Sequence, residues 1–246
     1  MSRFYVPKQN IGDKFITIDG DEAHHVIDVM RLDEGDVVVV FDGTGYEYSG
    51  PIKKIDPREK KVVVEISKKE ERSAACGVRV TLIQSIPKKG KMDLVVEKAA
   101  ELGVHKIVPI VTARTIVRPD DDSSQKKVQR WRKIALEASK QCGRADVCEV
   151  SDVISFDRSL ELVSEHDLTI FAWLHESTIS LADALSGFKE GRVLVFIGPE
   201  GDFTPDEAGK VLAIDTVKAV SLGRRVFRSE TAGLYTLSVL GYLYGL

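Results

Sequence analysis

Residues 193–207 read V-L-V-F-I-G-P-E-G-D-F-T-P-D-E, and this stretch decides the fold. The five apolar, mostly β-branched residues 193–197 predict a strand that is buried on both faces of a parallel sheet. Thr204 and Glu207 have the spacing of a capping box, so a helix is expected to begin there. The G-P-E-G turn lies between the two elements, at the kind of junction where α/β proteins bind ligands. Taken alone, the turn is equally compatible with an ordinary strand-to-helix connection.

A second loop makes the ligand-binding interpretation stronger. Residues 221–232 read S-L-G-R-R-V-F-R-S-E-T-A, in which a short strand ends at a glycine, three arginines follow, and a helix begins near Ser229. Glycines allow a ligand to approach the backbone closely, and arginines supply donors to anionic or carbonyl oxygens. Two such loops could therefore form one site.

Composition limits the protein class. The chain has 246 residues, of which 43% are hydrophobic and 30% charged, and its net charge is −3. These values describe a globular protein of one or two domains, and no apolar run reaches the roughly 18 residues of a membrane span. Three cysteines without metal-ligand spacing predict neither a disulfide framework nor a zinc site, and adjacent His24 and His25 cannot readily share a metal. We therefore expect a cytoplasmic protein without a bound metal.

Two domains are predicted, 1–72 and 73–246, with a linker in the charged stretch 68–75. The first part contains short alternating segments and a single clear helix, which predict a small β-rich module. The second part alternates strands and helices, which predicts a parallel sheet covered on both faces. The predicted strands are 3–6, 37–41, 46–55, 62–66, 78–83, 106–111, 168–173, 193–197 and 219–221. The predicted helices are 21–31, 91–102, 125–142, 155–164, 178–185, 204–212 and 231–246.

The last of these helices has no charged face. Residues 231–246 carry leucines and tyrosines around the whole circumference, so the helix should be buried. Because a C-terminal helix is more often peripheral than central, a subunit interface is at least as reasonable as a position in the core.

The motifs resemble those of the RsmE family of SPOUT-class ribosomal RNA methyltransferases. The resemblance rests on the G-P-E-G turn, on L-G-R-R-V-F-R-S-E-T-A, on H-H-V-I-D-V-M-R-L at 24–32 and on Q-C-G-R at 141–144. It implies a trefoil-knotted α/β domain preceded by a PUA-like RNA-binding β-barrel, S-adenosylmethionine as the cofactor, and a homodimer. It also implies methylation of N3 of a uridine in 16S RNA of the assembled small ribosomal subunit.

The resemblance assigns roles to individual residues. Arg228, Arg144 and Glu230 are the expected catalytic residues, with Arg114 and Arg118 as further candidates near the uridine. The expected cofactor-binding residues are Leu174, Ile197, Gly198, Pro199, Glu200, Gly201, Leu222, Gly223, Val226 and Phe227. The expected RNA-binding residues are Arg3, Lys88, Arg114, Arg118 and Arg224.

Two other functions remain open at this point. One is a noncatalytic RNA-binding protein whose α/β part only dimerises. The other is an enzyme that acts on a small molecule in the same crevice, although a small substrate would not require the extra N-terminal domain.

Overall fold

A computed structural model describes residues 3–72, 77–116 and 121–246. The chain forms two compact units. The first comprises Met1–Ala74 together with Ser139–Val147, and the second comprises Ala75–Ala138 and Cys148–Leu246.

The first unit is built on a six-stranded sheet in which β1 pairs with β3 in parallel and the other pairs are antiparallel. The strand order is β1-β3-β4-β5-β2, and β6 also pairs with β4. Alternate side chains of the strands are buried, which gives the unit its own apolar core. The strands are β1 (Arg3–Tyr5), β2 (Phe15–Ile18), β3 (Val37–Phe41), β4 (Tyr46–Asp56), β5 (Lys61–Glu65) and β6 (Lys68–Glu71).

Three features of this unit differ from the sequence prediction. Strand β2 was not predicted, because four residues are too few to show a clear alternation, but it pairs along β5. The predicted linker begins within β6, whose charged residues form an edge pairing with β4, while residues 73–75 lie outside the described part of the chain. The predicted helix 21–31 is α1 (Gly20–His24) followed by a wider helical turn at His25–Val29.

Ser139–Val147 belongs to the first unit, whereas the predicted division at 72/73 places it in the second domain. The amide of Gly45 donates to the carbonyl of Ala145 at 3.1 Å, and the amide of Val147 donates to the carbonyl of Gly43 at 3.1 Å. Lys140 also forms an ion pair of 2.6 Å with Glu22. A segment distant in sequence thus completes the β-rich unit, which no local pattern indicates.

The second unit is a parallel α/β fold, as the sequence predicted. All pairs of its eight-stranded sheet are parallel, in the order β10-β8-β7-β13-β11-β14-β12, with β9 beside β8. The strands are β7 (Val78–Ser85), β8 (Lys106–Val111), β9 (Glu149–Val150), β10 (Ile154–Ser155), β11 (Leu168–Ala172), β12 (Ile179–Ser180), β13 (Gly191–Ile197) and β14 (Val217–Ser221). The two-residue strands were not predicted, because such short segments carry no periodicity.

The helices of this unit agree closely with the predicted positions. They are α2 (Met92–Glu101), α3 (Asp121–Cys142), α4 (Phe156–Ser159), α5 (Leu181–Leu185), α6 (Pro205–Leu212) and α7 (Ser229–Tyr244), and a short 3₁₀ helix at Leu160–Glu165 follows α4. The end of α3, from Ser139 onward, belongs to the first unit. Along β13, Val193 and Val195 belong to one apolar core while Leu194 and Phe196 belong to another. The strand is therefore buried on both faces, as its composition predicted.

Helix α7 is buried along one face only. Gly233, Leu237 and Leu240 are buried, while the opposite stripe of Thr231, Tyr235, Ser238 and Tyr242 is exposed. Tyr242 has 89% of its surface exposed. In the described parts of the chain, no helix combines the length and apolar character needed to cross a membrane.

A half-buried histidine gives the second unit a pH dependence. His166 Nδ1 donates to the carbonyl of Leu162 at 2.7 Å, so Nε2 is left to accept from the Thr81 hydroxyl at 3.0 Å. Burial lowers the pKa of His166 below its ordinary value of 6.5. The neutral form therefore stabilises the folded state above about pH 6.5, and this contribution is lost as the pH falls through the lower folded-state pKa.

We expect His166→Gln to reduce the loss of stability between pH 7.5 and 5.5. Both tryptophans, Trp131 and Trp173, lie in the second unit, so urea unfolding followed by tryptophan fluorescence measures the free energy of unfolding of this unit. His24→Gln is the control, because His24 lies in the first unit, which the two tryptophans do not report, so this variant should retain the wild-type pH dependence. An unchanged pH dependence in His166→Gln would contradict this assignment.

Candidate active site

A cavity of about 280 Å³ lies at the carboxyl ends of β11, β13 and β14 in the second unit. Its walls come from Ala172 at the end of β11, from the turn after β13 and from the loop between β14 and α7. The two loops singled out in the sequence thus line one cavity. The predicted cofactor residues that line it are Leu174, Ile197, Gly198, Pro199, Glu200, Leu222, Gly223, Val226 and Phe227.

Hydrogen bonds to Asp202 fix the conformation of the first loop. This residue has a positive φ of 60°, a conformation that aspartate tolerates better than most residues. Its Oδ2 accepts from the amide of Leu174 at 3.0 Å, and its Oδ1 accepts from the amide of Phe203 at 2.8 Å. The carboxylate therefore joins the G-P-E-G turn to the end of β11. Gly201 is not part of the lining, and its carbonyl instead accepts from Arg114 Nη1 at 2.7 Å.

Glu200 organises the loops around the cavity. Its Oε1 accepts a hydrogen bond of 2.9 Å from the amide of Lys88, in the connection that follows β7. The residue also lines the cavity. This geometry favours a loop-organising role for its carboxylate over a role as a catalytic base.

The second loop carries the free positive charge of the site. Gly223 adopts a φ of 118°, which side chains larger than glycine rarely tolerate. Arg225 and Arg228 line the cavity and are exposed, and their guanidinium groups form no hydrogen bond or ion pair with other residues that the structure describes. Their guanidinium groups are therefore available to a ligand.

Glu230 is held by a cation rather than directed at the cavity. It forms an ion pair with Lys91 and is not part of the cavity lining. Burial by itself would raise the pKa of Glu230, but the hydrogen bond from Lys91, a backbone hydrogen bond and the charges of Lys91 and Arg228 outweigh burial, so the pKa lies below its ordinary value. A carboxylate with a lowered pKa is a weaker proton acceptor.

Comparison with known proteins identifies the family. Residues 75–241 match the family model described as an RNA methyltransferase domain, and residues 18–65 match an RNA methyltransferase PUA domain. The ribosomal RNA small subunit methyltransferase E of Bacillus subtilis is 32% identical, over 98% of this chain and 96% of the relative. The chain belongs to this family of RNA methyltransferases.

Solved structures agree with the assignment. A ribosomal RNA small subunit methyltransferase E from Neisseria gonorrhoeae, bound to S-adenosyl methionine, has a TM-score of 0.84 at 28% identity and covers 99% of this chain and 98% of its own. A methyltransferase from Legionella pneumophila with bound SAM has a TM-score of 0.85 at 29% identity, with 98% of this chain and 97% of its own covered. The predicted fold class, a SPOUT-type α/β domain preceded by a PUA-like domain, is confirmed.

The walls of the cavity suit the cofactor that these relatives bind. Leu174 and Val226 are large apolar residues, yet 62% and 72% of their surfaces are exposed beside the cavity. Such residues can cover the faces of a planar ring, while the backbone of the glycine-containing loops offers donors and acceptors to its edge. The volume of about 280 Å³ lies just below the roughly 300–1,000 Å³ typical of ligand pockets.

Several residues of the lining were missed by sequence reasoning. Trp173 lines the cavity, and its ring stacks on His175 with centroids 4.3 Å apart. Asp202 could have been found from its place next to a turn glycine, since aspartate is common in turns. Arg225, Ser229 and Ala232 lie within the second loop singled out in the sequence but were not assigned to the cofactor, whereas Ala172 and Val220 have no distinctive local signal.

The arginines and lysines predicted to bind RNA or to take part in catalysis differ in how free their side chains are to contact a ligand. Arg114 donates to the carbonyls of Gly201 and Phe203, so its guanidinium supports the first loop. Arg224 is exposed but does not line the cavity, and Arg118 lies outside the described residues. Lys88 is half-buried, with its amide bonded to Glu200.

Arg3 and Arg144 both belong to the first unit. Arg3 forms an ion pair of 2.6 Å with Glu47, donates to the carbonyl of Arg144 at 2.6 Å and lies over the Phe41 ring. Arg144 forms an ion pair of 2.6 Å with Asp146. In the first unit, both side chains are therefore engaged in holding Ser139–Val147 in place. Among the residues described in either unit, no cluster of three or more His, Cys, Asp or Glu side chains could hold a metal.

Glu207 connects the first loop to the connection after β8. The predicted capping box is confirmed, with Glu207 Oε2 accepting from the amide of Thr204 at 2.9 Å. Glu207 Oε1 also accepts from the amide of Ala113 at 2.7 Å, a contact that the sequence did not indicate.

We expect Glu207→Ala to lower the free energy of unfolding of the second unit by about 2–3 kcal/mol, because it removes a helix cap and a buried charge-assisted hydrogen bond. Tryptophan fluorescence during urea unfolding measures this change. Asp206→Ala is the control, because Asp206 is exposed in the same helical turn and should contribute only about 0.3–1 kcal/mol through the helix dipole. Equal effects of the two substitutions would contradict the linking role of Glu207.

Proposed function

We propose that the protein transfers a methyl group from S-adenosylmethionine to N3 of a uridine in 16S ribosomal RNA, within the assembled small subunit. The observation that carries this proposal is the cavity between two loops, with exposed apolar walls and two unpaired arginines. Family membership supports the reaction class, and the names of the relatives support the substrate class. The match to a PUA domain favours RNA over a small metabolite as the acceptor.

The cofactor would be held by the residues that line the cavity. Leu174, Ile197, Leu222, Val226 and Phe227 would enclose the adenine, and the backbone at Gly198 and Gly223 would approach it closely. When bound, S-adenosylmethionine supplies an electrophilic methyl group. The task of this chain is to fix the orientation of that group and of the acceptor, which converts a bimolecular reaction into a positioned one.

The uridine must become a better nucleophile. N3 carries a proton whose acidity is comparable to that of a phenol, with a pKa of about 10. A guanidinium near the O2 or O4 carbonyl stabilises the anion that forms when this proton leaves. Arg228 is the first candidate, because it lines the cavity and its guanidinium forms no hydrogen bond or ion pair among the residues described, and Arg225 shares both properties.

The two other predicted catalytic residues have less direct support. The ion pair with Lys91 and the lowered pKa favour a positioning role for Glu230. Arg144 stays a candidate from the first unit, where it is bonded to Asp146. Water or a group of the RNA would accept the N3 proton.

The proposed assembly is a homodimer formed through α7. The stripe of Thr231, Tyr235, Ser238 and Tyr242 has the 4-3-4 spacing of a single helical face, and Tyr235 packs against Phe227 with ring centroids 5.0 Å apart. Burial of this face against a second copy removes aromatic surface from water. Light scattering should give a dimer mass for the wild type and a monomer mass for Tyr242→Glu. A monomeric wild type at micromolar concentration would overturn the proposed assembly.

The function is tested with labelled S-adenosylmethionine. Assembled small subunits and naked 16S RNA, each from cells that lack this activity, are incubated with the protein, and the methylated nucleotide is mapped by nuclease digestion and mass spectrometry. We expect 3-methyluridine at one position, with assembled subunits as the better substrate. Label on another base would overturn the proposed acceptor. An absence of cofactor binding in calorimetry would favour a noncatalytic RNA-binding protein. The proposed action on ribosomal subunits supports the proposed cytoplasmic location.

A further inference from the structure

The strongest unexplained feature beside the cavity is a buried amide. Gln84 lies near the end of β7 and is fully buried, between apolar positions of the strand and the start of α7. Its Nε2 donates to Ser229 Oγ at 2.9 Å and to the carbonyl of Ser85 at 3.0 Å. Gln84 does not line the cavity, whereas Ser229 does.

The direction of these hydrogen bonds is fixed by their partners. Ser229 Oγ lies 2.6 Å from the carbonyl oxygen of Gly198, and a carbonyl only accepts. The single hydroxyl proton of Ser229 is therefore given to Gly198, and Ser229 must accept from Gln84. The carbonyl of Ser85 likewise requires the NH₂ group of Gln84 on this side. The result is a directed chain from the Gln84 amide through the Ser229 hydroxyl to the Gly198 carbonyl.

The surroundings of Gln84 are adapted to this orientation. Gly233, on the first turns of α7, faces Gln84 Oε1, and a Cβ atom built on Gly233 would lie only 2.9 Å from that oxygen. Gln84 Oε1 has no hydrogen-bond partner in the described parts of the chain. Because a buried, unsatisfied amide oxygen is destabilising, an apolar side chain would serve better at this position if only packing mattered.

This chain of hydrogen bonds connects the two loops of the proposed cofactor site. Gly198 begins the G-P-E-G turn, and Ser229 ends the second loop as the first residue of α7. The connection after β7 holds the same two loops a second time, since the Lys88 amide bonds to Glu200 and Lys91 pairs with Glu230. The end of β7 is therefore the common support of both loops.

We infer that Gln84 is a positioning residue, which sets the separation of the two cofactor loops through the Ser229 hydroxyl. The inference rests on the cofactor site of the proposed function. It requires that loss of the amide donor weakens cofactor binding although Gln84 does not touch the cavity. A reversal of the hydrogen-bond direction should have the same effect.

The first test compares cofactor affinity in Gln84→Met and in a control. Methionine keeps the volume of glutamine and removes the donor, and we expect the Kd for S-adenosylmethionine in calorimetry to rise about tenfold, the effect of one hydrogen bond. Thr81→Val is the control, because Thr81 is a buried polar residue of the same strand that bonds to His166, outside the lining. Thr81→Val should leave the Kd within about twofold of the wild-type value. Ser229→Ala should raise the Kd as much as Gln84→Met does. The double variant should have a Kd no higher than either single variant, because all three break the same chain of hydrogen bonds.

The second test measures how cofactor affinity depends on pH. This dependence would not change if the role of Gln84 were purely structural. In Gln84→Glu, an ionised carboxylate can only accept, so it draws the Ser229 proton away from Gly198, whereas the protonated form carries one O–H that can still donate to Ser229 Oγ. Burial raises carboxyl pKa values by several units, up to about 8–9. The Kd of Gln84→Glu, relative to the wild type at each pH, should therefore rise between pH 6 and pH 9.

The outcomes separate this inference from the proposed function. If the wild type binds the cofactor but Gln84→Met and Ser229→Ala bind it as tightly, the positioning role is wrong while the proposed function stands. A Gln84→Glu affinity with the wild-type pH dependence leads to the same conclusion. A wild type that binds no cofactor overturns both. If Gln84→Met does not fold, Ser229→Ala and the pH dependence of Gln84→Glu still decide the question.

Discussion

Arg228→Ala is expected to lower turnover about 10²- to 10³-fold, the usual effect of removing one fixed donor from a developing negative charge. Arg228 lines the cavity and its guanidinium forms no hydrogen bond or ion pair with the described residues, so it is available to the uridine carbonyls. The Kd for S-adenosylmethionine should stay within a few fold, because the cofactor walls are apolar side chains and backbone. Single-turnover methylation and calorimetry measure the two effects separately.

Arg224→Ala is the matched control for this prediction. Arg224 lies in the same loop with the same charge, but it is exposed outside the lining. Its removal should weaken RNA binding at most, which raises KM and is sensitive to salt. Turnover of Arg228→Ala near the wild-type rate would remove Arg228 from the mechanism and direct attention to Arg225.

Gly50→Ala is expected to destabilise the first unit by at least about 3 kcal/mol, the upper part of the range for overpacked interiors. Gly50 is buried in β4, and a Cβ atom there would lie 1.7 Å from the carbonyl oxygen of Glu65 and 3.1 Å from the amide nitrogen of Ser67. Since the atoms met are backbone, a side-chain rotation cannot relieve the contact. The end of β5 would have to move away from β4.

Hydrogen exchange with mass spectrometry measures this effect on β4 and β5 directly. We expect faster exchange of both strands in Gly50→Ala, while Ser49→Ala in the same strand should exchange like the wild type. The fluorescence of Trp131 and Trp173 reports separately on the second unit. Wild-type exchange in Gly50→Ala would show that the strands adjust without loss of pairing.

The order of elements was largely readable from the sequence. The five main strands of the second unit and all of its longer helices were predicted within a few residues, because burial on both sheet faces and helix caps leave local patterns. The short strands β2, β6, β9, β10 and β12 were not, because two to four residues form strands only when neighbours are present to pair with them. The trefoil knot was implied by family resemblance alone, since default topology rules exclude knots.

The site was predictable as a set of loops, but not as a set of roles. Nine of the ten predicted cofactor residues line the cavity, because glycines at strand ends mark close approach of the backbone. Arg114, Arg225 and Arg228 look alike in the sequence. Only the folded chain shows that Arg114 is bonded to loop carbonyls while Arg225 and Arg228 are left free in the described structure.

The sequence by itself determined the fold class, the two cofactor loops and the family, since these depend on local backbone preferences and on motifs within a few residues of one another. The tertiary structure decided which polar groups hold the loops and which are free for chemistry. Gln84 bonds to Ser229 across 145 positions of the chain, and Arg114 bonds to Gly201 across 87. Such pairs depend on the path of the chain through space, and nothing in the sequence around either partner records them.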